Sequence, residues 1–127
     1  MKKIIILDTN FLLIPAQFNV DIFSEIERIC DFPYQLCIID KTLSELDSII
    51  ENQRQKYKNA AKLALKLLKS KAVKIIKTKK DKYVDDLIFN LAENTEIIVA
   101  TQDKELKKRL KKPIITLRQK KYLKIMN

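Results

Sequence analysis

The sequence contains no histidine and no glycine, and these two absences exclude several classes of site. Without histidine there can be no Ser-His-Asp triad, no Cys-His catalytic pair and no histidine-ligated zinc. Without glycine there is no glycine-rich phosphate loop and no dinucleotide-binding fingerprint. A turn that needs a positive φ angle must therefore use asparagine, aspartate or lysine, at some steric cost.

Cysteine and long apolar runs are also scarce. The two cysteines, Cys30 and Cys37, lack the spacing of metal ligands and lie in apolar contexts. They are typical of buried free thiols, which suit a reducing compartment. No apolar stretch approaches the ~18 residues of a membrane span, and residues 4–7 are too few for a signal-peptide core. We therefore expect a soluble, cytoplasmic protein with no membrane partner.

What the chain does contain is apolar residues and positive charge. A length of 127 residues predicts one domain over residues 1–127, and a hydrophobic content of 46% supports a packed core. The 26 lysines and arginines outnumber the 16 aspartates and glutamates, which gives a net charge of +10. This excess favours an anionic partner such as nucleic acid. The alternative is a surface of ordinary solvated lysines.

Apolar periodicity predicts strands that alternate with helices. The expected strands cover residues 4–7, 35–39, 73–76, 96–100 and 114–117, with 122–126 as a candidate for a final strand. The lysines of 73–76 are typical of an edge strand. The expected helices cover residues 20–30, 41–52, 57–69, 82–94 and 103–111, the fourth capped by Asn94; Pro15 should stop a helix that starts near residue 11. The alternation predicts an α/β sandwich with a central, mostly parallel sheet of about five strands flanked by helices.

Acidic residues follow each of the four most strand-like runs. They are Asp8, Glu45, the pair Asp85 and Asp86, and Asp103. If the runs are parallel strands, all of these side chains arrive at the carboxyl edge of one sheet, where open α/β sheets bind ligands. Clustered carboxylates repel one another unless cations hold them together.

Oxygen ligands select hard divalent cations, so the pattern predicts one or two Mg²⁺ or Mn²⁺ ions. One ion can lower the pKa of the attacking water and a second can stabilise the leaving oxygen, which is the chemistry of phosphodiester cleavage. Each acid also has a simpler explanation: Asp8 and Asp103 could cap helices, Glu45 could be a solvated helix residue, and Asp85 and Asp86 could be first-turn acids.

The segments around these acids resemble the motifs of the PIN-domain nucleases. They are residues 7–13 (LDTNFLL), 43–46 (LSEL), 84–88 (VDDLI, with Ala92) and 99–106 (VATQDKEL). The run 100–110 and the doublet Asp85-Asp86 resemble the archaeal relatives of the small-subunit-processome PIN endonucleases, which act in ribosomal RNA maturation. They are less similar to the toxin PIN ribonucleases of toxin–antitoxin pairs.

The resemblance implies a three-layer PIN-like fold and a metal-dependent endoribonuclease. It implies that the catalytic and metal-binding residues are Asp8, Glu45, Asp85 and Asp103, with Asp86 as an outer or alternative ligand. Asp85 is preferred because it flanks the apolar stripe of its helix and keeps the family's distance to Ala92, whereas Asp86 points nearly opposite the stripe. Thr9, Asn10 and Thr101 could orient the acids or a phosphate; alternatively, Thr9 and Asn10 only cap a helix.

RNA would contact basic residues around the site, mainly through its phosphates. The candidates are Lys104, Lys107, Lys108, Arg109, Lys111, Lys112, Arg118, Lys120 and Lys121. Tyr57, Tyr83 and Tyr122 could stack on bases or could simply pack. Two other functions stay open: a toxin-type PIN ribonuclease with an antitoxin partner, and a non-catalytic RNA-binding scaffold. A homodimer could form through helix 20–30 or helix 57–69.

Overall fold

The computed structural model describes residues 2–78, 83–93, 96–110 and 113–126. The strands are β1 (Lys3–Leu7), β2 (Tyr34–Ile39), β3 (Lys74–Ile76), β4 (Ile97–Ala100), β5 (Ile114–Arg118) and β6 (Tyr122–Met126). The helices are α1 (Thr9–Leu12), α2 (Ile14–Phe18), α3 (Ile22–Ile29), α4 (Asp40–Asn52), α5 (Gln55–Ser70), α6 (Val84–Leu91) and α7 (Lys104–Arg109). The predicted roles of Asn94, Lys111 and Lys112 lie outside the described residues.

The strands form one six-stranded sheet in the order β3-β2-β1-β4-β5-β6. All neighbouring pairs are parallel except β5 and β6, which form an antiparallel hairpin. The chain leaves β1 for β2 on one side and returns to β4 on the other, so the strand order reverses between β1 and β4. This reversal opens a crevice at the carboxyl ends of the two strands, where sheets of this type bind ligands.

The predicted fold class is confirmed, and the sheet has six strands where the sequence predicted about five. Residues 122–126, the candidate for a final strand, form β6 at one edge of the sheet. The short, lysine-bearing strand β3 lies at the other edge, as predicted. In the described part of the chain, no helix has both the length and the hydropathy that crossing a bilayer requires.

Apolar side chains of β1 point alternately to the two faces of the sheet, as the pleat of a strand requires. Ile5 and Leu7 pack into a core beneath α1 to α5, whereas Ile6 packs into a second core beneath α6 and α7. All three side chains are fully buried. The sheet therefore forms the middle of three layers, which is why its central strands read as continuous apolar runs.

Pro15 does not end helical structure, which corrects a detail of the sequence-based expectation. The first helix stops at Leu12, before the proline, but α2 begins at Ile14 and carries Pro15 in its first turn. A proline at this position removes only an N–H group that has no partner within the helix. Leu13 thus separates the two helices, and Pro15 lies in the first turn of the second.

Positive φ angles occur at Asn19, Ala72, Gln119 and Lys120. Asparagine and lysine were expected in this role, but alanine and glutamine were not. Ala72 follows α5, where the Val73 N–H donates to the Leu68 carbonyl and the Ala72 N–H donates to that of Lys69. These two bonds define a helix end that usually has glycine at the position of Ala72, because the left-handed backbone is costly for a residue with a Cβ atom.

Candidate active site

Asp8 lies at the carboxyl end of β1, in the crevice between β1 and β4. Its backbone N–H donates to the Ala100 carbonyl at 3.0 Å, which continues the pairing of the two strands. The side chain is buried, with 6% of its surface exposed. Its Oδ1 atom accepts from the Thr9 N–H at 2.8 Å, so Asp8 caps α1 as one of the simpler explanations predicted. The cap leaves the other oxygen, Oδ2, for a second partner.

Thr9 connects Asp8 to Glu45. While its backbone N–H binds Asp8, its hydroxyl donates to Glu45 Oε1 at 2.5 Å. Glu45 is exposed on α4, the helix that starts directly after β2. Thr9 therefore fixes the side chain of an exposed helix residue beside the buried carboxylate of the central strand.

Thr101 connects Asp8 to Asp103 in the same way from the other side. Its hydroxyl donates to Asp8 Oδ2 at 2.7 Å and accepts from the Asp103 N–H at 3.0 Å. Asp103 is the N-cap of α7, because its Oδ1 accepts from the backbone N–H groups of Glu105 and Leu106. Two threonine hydroxyls thus hold three acidic residues, from three different strand ends, in fixed relation to one another.

The three acids line a single cavity of about 280 Å³ at this edge of the sheet. The described residues that line it are Asp8, Thr9, Asn10, Glu45, Ser48, Ile49, Val84 and Asp103. No lysine or arginine is among them, so no described cationic side chain neutralises the carboxylates inside the cavity. This arrangement attracts a cation.

The pKa of Asp8 is raised above its ordinary value. Burial is the main cause, because it disfavours the charged carboxylate; the bonds from Thr101 and Thr9 act in the opposite direction. The negative charges of Glu45 and Asp103 raise the pKa of Asp8 further. Without a metal ion, the surroundings of Asp8 therefore favour its protonated form. A bound cation would favour the ionised form instead.

The donor chemistry of the cavity fits a hard divalent ion. Its described polar atoms are carboxylate, hydroxyl and amide groups, which are the oxygen-rich surroundings that Mg²⁺ and Mn²⁺ prefer. Among the described side chains, no group of three or more aspartates, glutamates or cysteines lies close enough together to hold a metal ion. Asp8, Glu45 and Asp103 would therefore hold an ion only with water or a further ligand between them.

Asp85 and Asp86 both lie in α6, whose first residue, Val84, lines the cavity. The side chain of Asp85 falls outside the described part of the molecule, so its predicted role as a ligand stays a prediction. Asp86 does not line the cavity. Its Oδ1 accepts from Arg109 Nη1 of α7 at 2.8 Å, and the Arg109 guanidinium also lies over the Phe89 ring, 4.4 Å from its centroid. The structure thus brings Asp86 to α7 and not to the other acids.

The predicted RNA-binding residues fall into two groups. Lys104, Lys108, Arg118, Lys120 and Lys121 are exposed. Arg109 is engaged by Asp86, and Lys107 is half-buried, with its ammonium donating to the Thr116 hydroxyl at 2.6 Å. Burial lowers the pKa of Lys107, and the positive charges of Arg118 and Lys104 lower it further. Lys107 and Arg109 therefore have structural partners, and the Lys120 ammonium lies over the Phe18 ring, 5.9 Å from its centroid. All five cations of the first group are exposed and can meet a polyanion.

Several contributors to the site were not predicted. Ser48 and Ile49 line the cavity from α4, and the spacing of Ser48 three residues after Glu45 places both on one helical face. Gln102 fixes the loop between Thr101 and Asp103, because its Oε1 accepts from the Thr116 hydroxyl and the Leu117 N–H, both at 2.7 Å. No spacing in the sequence reveals that contact, since its partners lie on the next strand.

Comparison with known proteins gives a consistent result. A family model described as a PIN-like domain matches residues 5–120. Ribonuclease VapC4 of Methanocaldococcus jannaschii is 35% identical over 125 residues, which cover 95% of each chain. The structure of the PIN domain endonuclease Utp24 superposes with a TM-score of 0.78 at 26% identity, over 96% of this chain and 90% of that one.

A domain of a functionally unknown protein from M. jannaschii shares the fold at a TM-score of 0.55 and 18% identity, over 86% of this chain and 84% of that one. The acids and hydroxyls described above all fall within the segment that the family model matches. The chain belongs to the family of PIN-like domains.

Proposed function

We propose that residues 1–127 form a single nuclease domain that cleaves RNA phosphodiesters internally, with Mg²⁺ or Mn²⁺ as cofactor. The observation that carries the proposal is the placement of Asp8, Glu45 and Asp103 around one cavity at the β1/β4 crevice. Similarity to a protein named Ribonuclease VapC4 and to a PIN domain endonuclease supports the choice of reaction.

Each residue has a distinct task in this proposal. Asp8, Glu45, Asp103 and Asp85 bind one or two divalent ions, which supply positive charge to the scissile phosphate when bound. Thr9 and Thr101 keep the carboxylates in position through the bonds described above. Asn10, which is exposed and lines the cavity, orients a phosphate oxygen.

RNA reaches the cavity across the exposed cations of α7 and of the β5–β6 turn. Lys104, Lys108, Arg118, Lys120 and Lys121 bind phosphates without reading the base sequence, so affinity should fall steeply with salt. Tyr83 adds an aromatic surface: it is 81% exposed and precedes Val84, which lines the cavity. An exposed aromatic ring at this place can stack on a base of single-stranded RNA.

The proposed biological role is maturation of ribosomal RNA in the cytoplasm. The likeness to Utp24 covers nearly all of both chains and supports this choice. The two buried, free cysteines suit a reducing compartment. The similarity to Ribonuclease VapC4 favours a second candidate, a toxin-type PIN ribonuclease that a partner protein restrains.

Cleavage of labelled RNA tests the reaction. Single-stranded and hairpin RNAs are incubated with the protein in Mn²⁺, in Mg²⁺ and in EDTA, beside Asp8→Asn, Glu45→Gln and Asp85→Asn. We expect internal cleavage by the parent in either metal, none in EDTA, and a loss of at least about a hundredfold in each variant, the scale of removing a group that binds a catalytic ion. Asp47→Asn is the matched control, because Asp47 is exposed on α4 and does not line the cavity.

Cleavage that persists in EDTA or in Asp8→Asn would contradict the proposed site. RNA binding without cleavage in every condition would favour the scaffold function instead. Expression in a bacterial host separates the two roles: growth arrest by the parent but not by Asp8→Asn favours the toxin-type enzyme, and cleavage confined to precursor ribosomal RNA favours maturation.

A further inference from the structure

A second concave surface lies on the opposite side of α4 from the carboxylates. It is a groove of about 520 Å³ between α5, the start of α4 and the edge strand β3. The described residues that line it are Ile38, Leu43, Lys62, Leu65, Lys66, Leu68, Lys69, Ala72, Val73 and Ile75. No described residue lines both this groove and the acidic cavity.

The groove combines an aliphatic floor with a basic rim. Leu65, Leu68 and Ile75 contribute to the floor, and Ile75 is 51% exposed although it belongs to a strand. Lys62, Lys66 and Lys69 are all exposed and stand at helical spacing along one side of α5. No acidic residue is among the described residues of the lining, so the lysines have no counter-charge within the groove.

We propose that this groove binds an acidic, amphipathic segment of a partner protein. Aliphatic side chains of such a segment would cover the floor, and its carboxylates would pair with the three lysines of the rim. An aliphatic groove rimmed by charges of one sign suits an amphipathic segment of the opposite charge, which lays its apolar face into the groove.

Other occupants fit less well. RNA is disfavoured because the described residues of the floor are aliphatic and include no aromatic ring on which a base could stack. A second copy of the chain is disfavoured because a two-fold contact would bring two sets of the same lysines together, in a protein whose net charge is already +10. An acidic, amphipathic protein segment can contact both the aliphatic floor and the lysines of the rim. Its binding does not depend on the proposed nuclease activity.

Binding can be measured with a designed peptide. The probe is a fluorescein-labelled peptide of about 15 residues, roughly four helical turns, with leucine at helical spacing and glutamate on the flanks. We expect one peptide to bind per chain, with shifts of the Leu65 and Ile75 methyl signals in NMR spectra. The variant K62E/K66E/K69E should bind roughly tenfold more weakly, since each rim pair contributes a fraction of the total binding energy.

Matched controls distinguish the contribution of the groove lysines to peptide affinity from that of the protein's overall positive charge. K2E/K56E/K124E makes the same change of charge at exposed lysines outside the groove and should leave the affinity nearly unchanged. A peptide of the same composition in scrambled order should bind weakly. Metal-dependent RNA cleavage is measured in parallel, so that failure of the groove and failure of the nuclease proposal are distinguishable.

The proposal would be overturned if the peptide did not bind at millimolar concentration, or if the scrambled peptide bound equally well. An equal loss of affinity in the two triple variants would also overturn it. So would methyl shifts that oligouridine or phosphatidylglycerol vesicles produce and the peptide does not. Self-association of the parent that K62E/K66E/K69E abolishes would identify a second copy as the occupant instead.

Discussion

Replacing Thr101 by valine removes one hydroxyl from the centre of the acidic site while nearly preserving the shape of the side chain. Thr101 is completely buried at the end of β4. Its hydroxyl donates to Asp8 Oδ2 and accepts from the Asp103 N–H, so the substitution breaks two bonds at once. The position therefore tests whether this hydroxyl organises the carboxylates.

The expected loss of stability follows from the two hydrogen bonds that the substitution removes, one to the Asp8 carboxylate and one from the Asp103 N–H. A buried hydrogen bond to a charged group contributes about 1.5–3 kcal/mol, and a bond to a backbone N–H about 1 kcal/mol. Thr101→Val should therefore lower the free energy of unfolding by about 2.5–4 kcal/mol. Thr101→Ser keeps the hydroxyl and deletes one buried methyl group, which should cost about 1 kcal/mol. Urea denaturation in EDTA measures both values.

A second readout separates this role from simple packing. The Thr101 hydroxyl holds the pKa of Asp8 down, against the effect of burial. Its loss should raise the pKa of Asp8 further, so that the acid limb of the activity profile moves to higher pH in Thr101→Val but not in Thr101→Ser. Equal stability of the two variants, together with an unmoved acid limb, would show that the Thr101 hydroxyl does not organise the carboxylates.

Three further predictions concern charge, backbone strain and RNA contact. The pKa of Asp8 is raised in the folded state, so folding without metal favours the protonated side chain. The stability that this preference contributes is fully present below pH 3.8, the ordinary pKa of the side chain, and is lost as pH rises through the folded pKa. The unfolding free energy of Asp8→Asn, measured against the parent in EDTA, should therefore increase with pH above about 4; a constant difference would contradict this. Ala72→Gly should raise stability by about 0.5–1 kcal/mol, because relief of the left-handed backbone exceeds the added entropy of the unfolded chain; a lower thermal midpoint would contradict it. Tyr83→Ala should weaken binding of single-stranded RNA roughly tenfold in fluorescence anisotropy, the scale of one stacked base, and more than Tyr57→Ala; equal effects would show that Tyr83 does not stack.

The central strands were predictable because burial on both faces leaves a signal in the sequence. Residues 4–7 and 97–100 read as continuous apolar runs, and both form central strands of the parallel sheet. Once these runs are taken as parallel, Asp8 and Asp103 must arrive at the same edge. The meeting of the acids is thus a consequence of topology that the sequence pattern already contains.

Contacts between distant elements could not be predicted in the same way. Arg109 pairs with Asp86 across the α6–α7 interface, which removes both from the set of free charged groups near the site. Lys107 similarly bonds Thr116 on β5. Among many lysines of equal appearance in the sequence, only the packing of α7 decides which ones are engaged and which are free.

Backbone conformation was the other source of error. A chain without glycine gives no marker for its left-handed positions, so Ala72 and Gln119 could not be identified. Pro15 was misleading for a related reason, since proline is equally suited to end one helix and to begin the next. Neither error affects the site, because none of these residues touches the acidic cavity.

We propose that Asp8, Glu45 and Asp103 together bind a divalent cation. The most direct test is the anomalous difference map of a crystal grown in Mn²⁺. We expect a peak inside the cavity, at roughly 2.1 Å from a carboxylate oxygen of Asp8, the distance expected for a small hard cation. No peak there, or a peak only at acids outside the cavity such as Asp40 or Asp21, would contradict the claim.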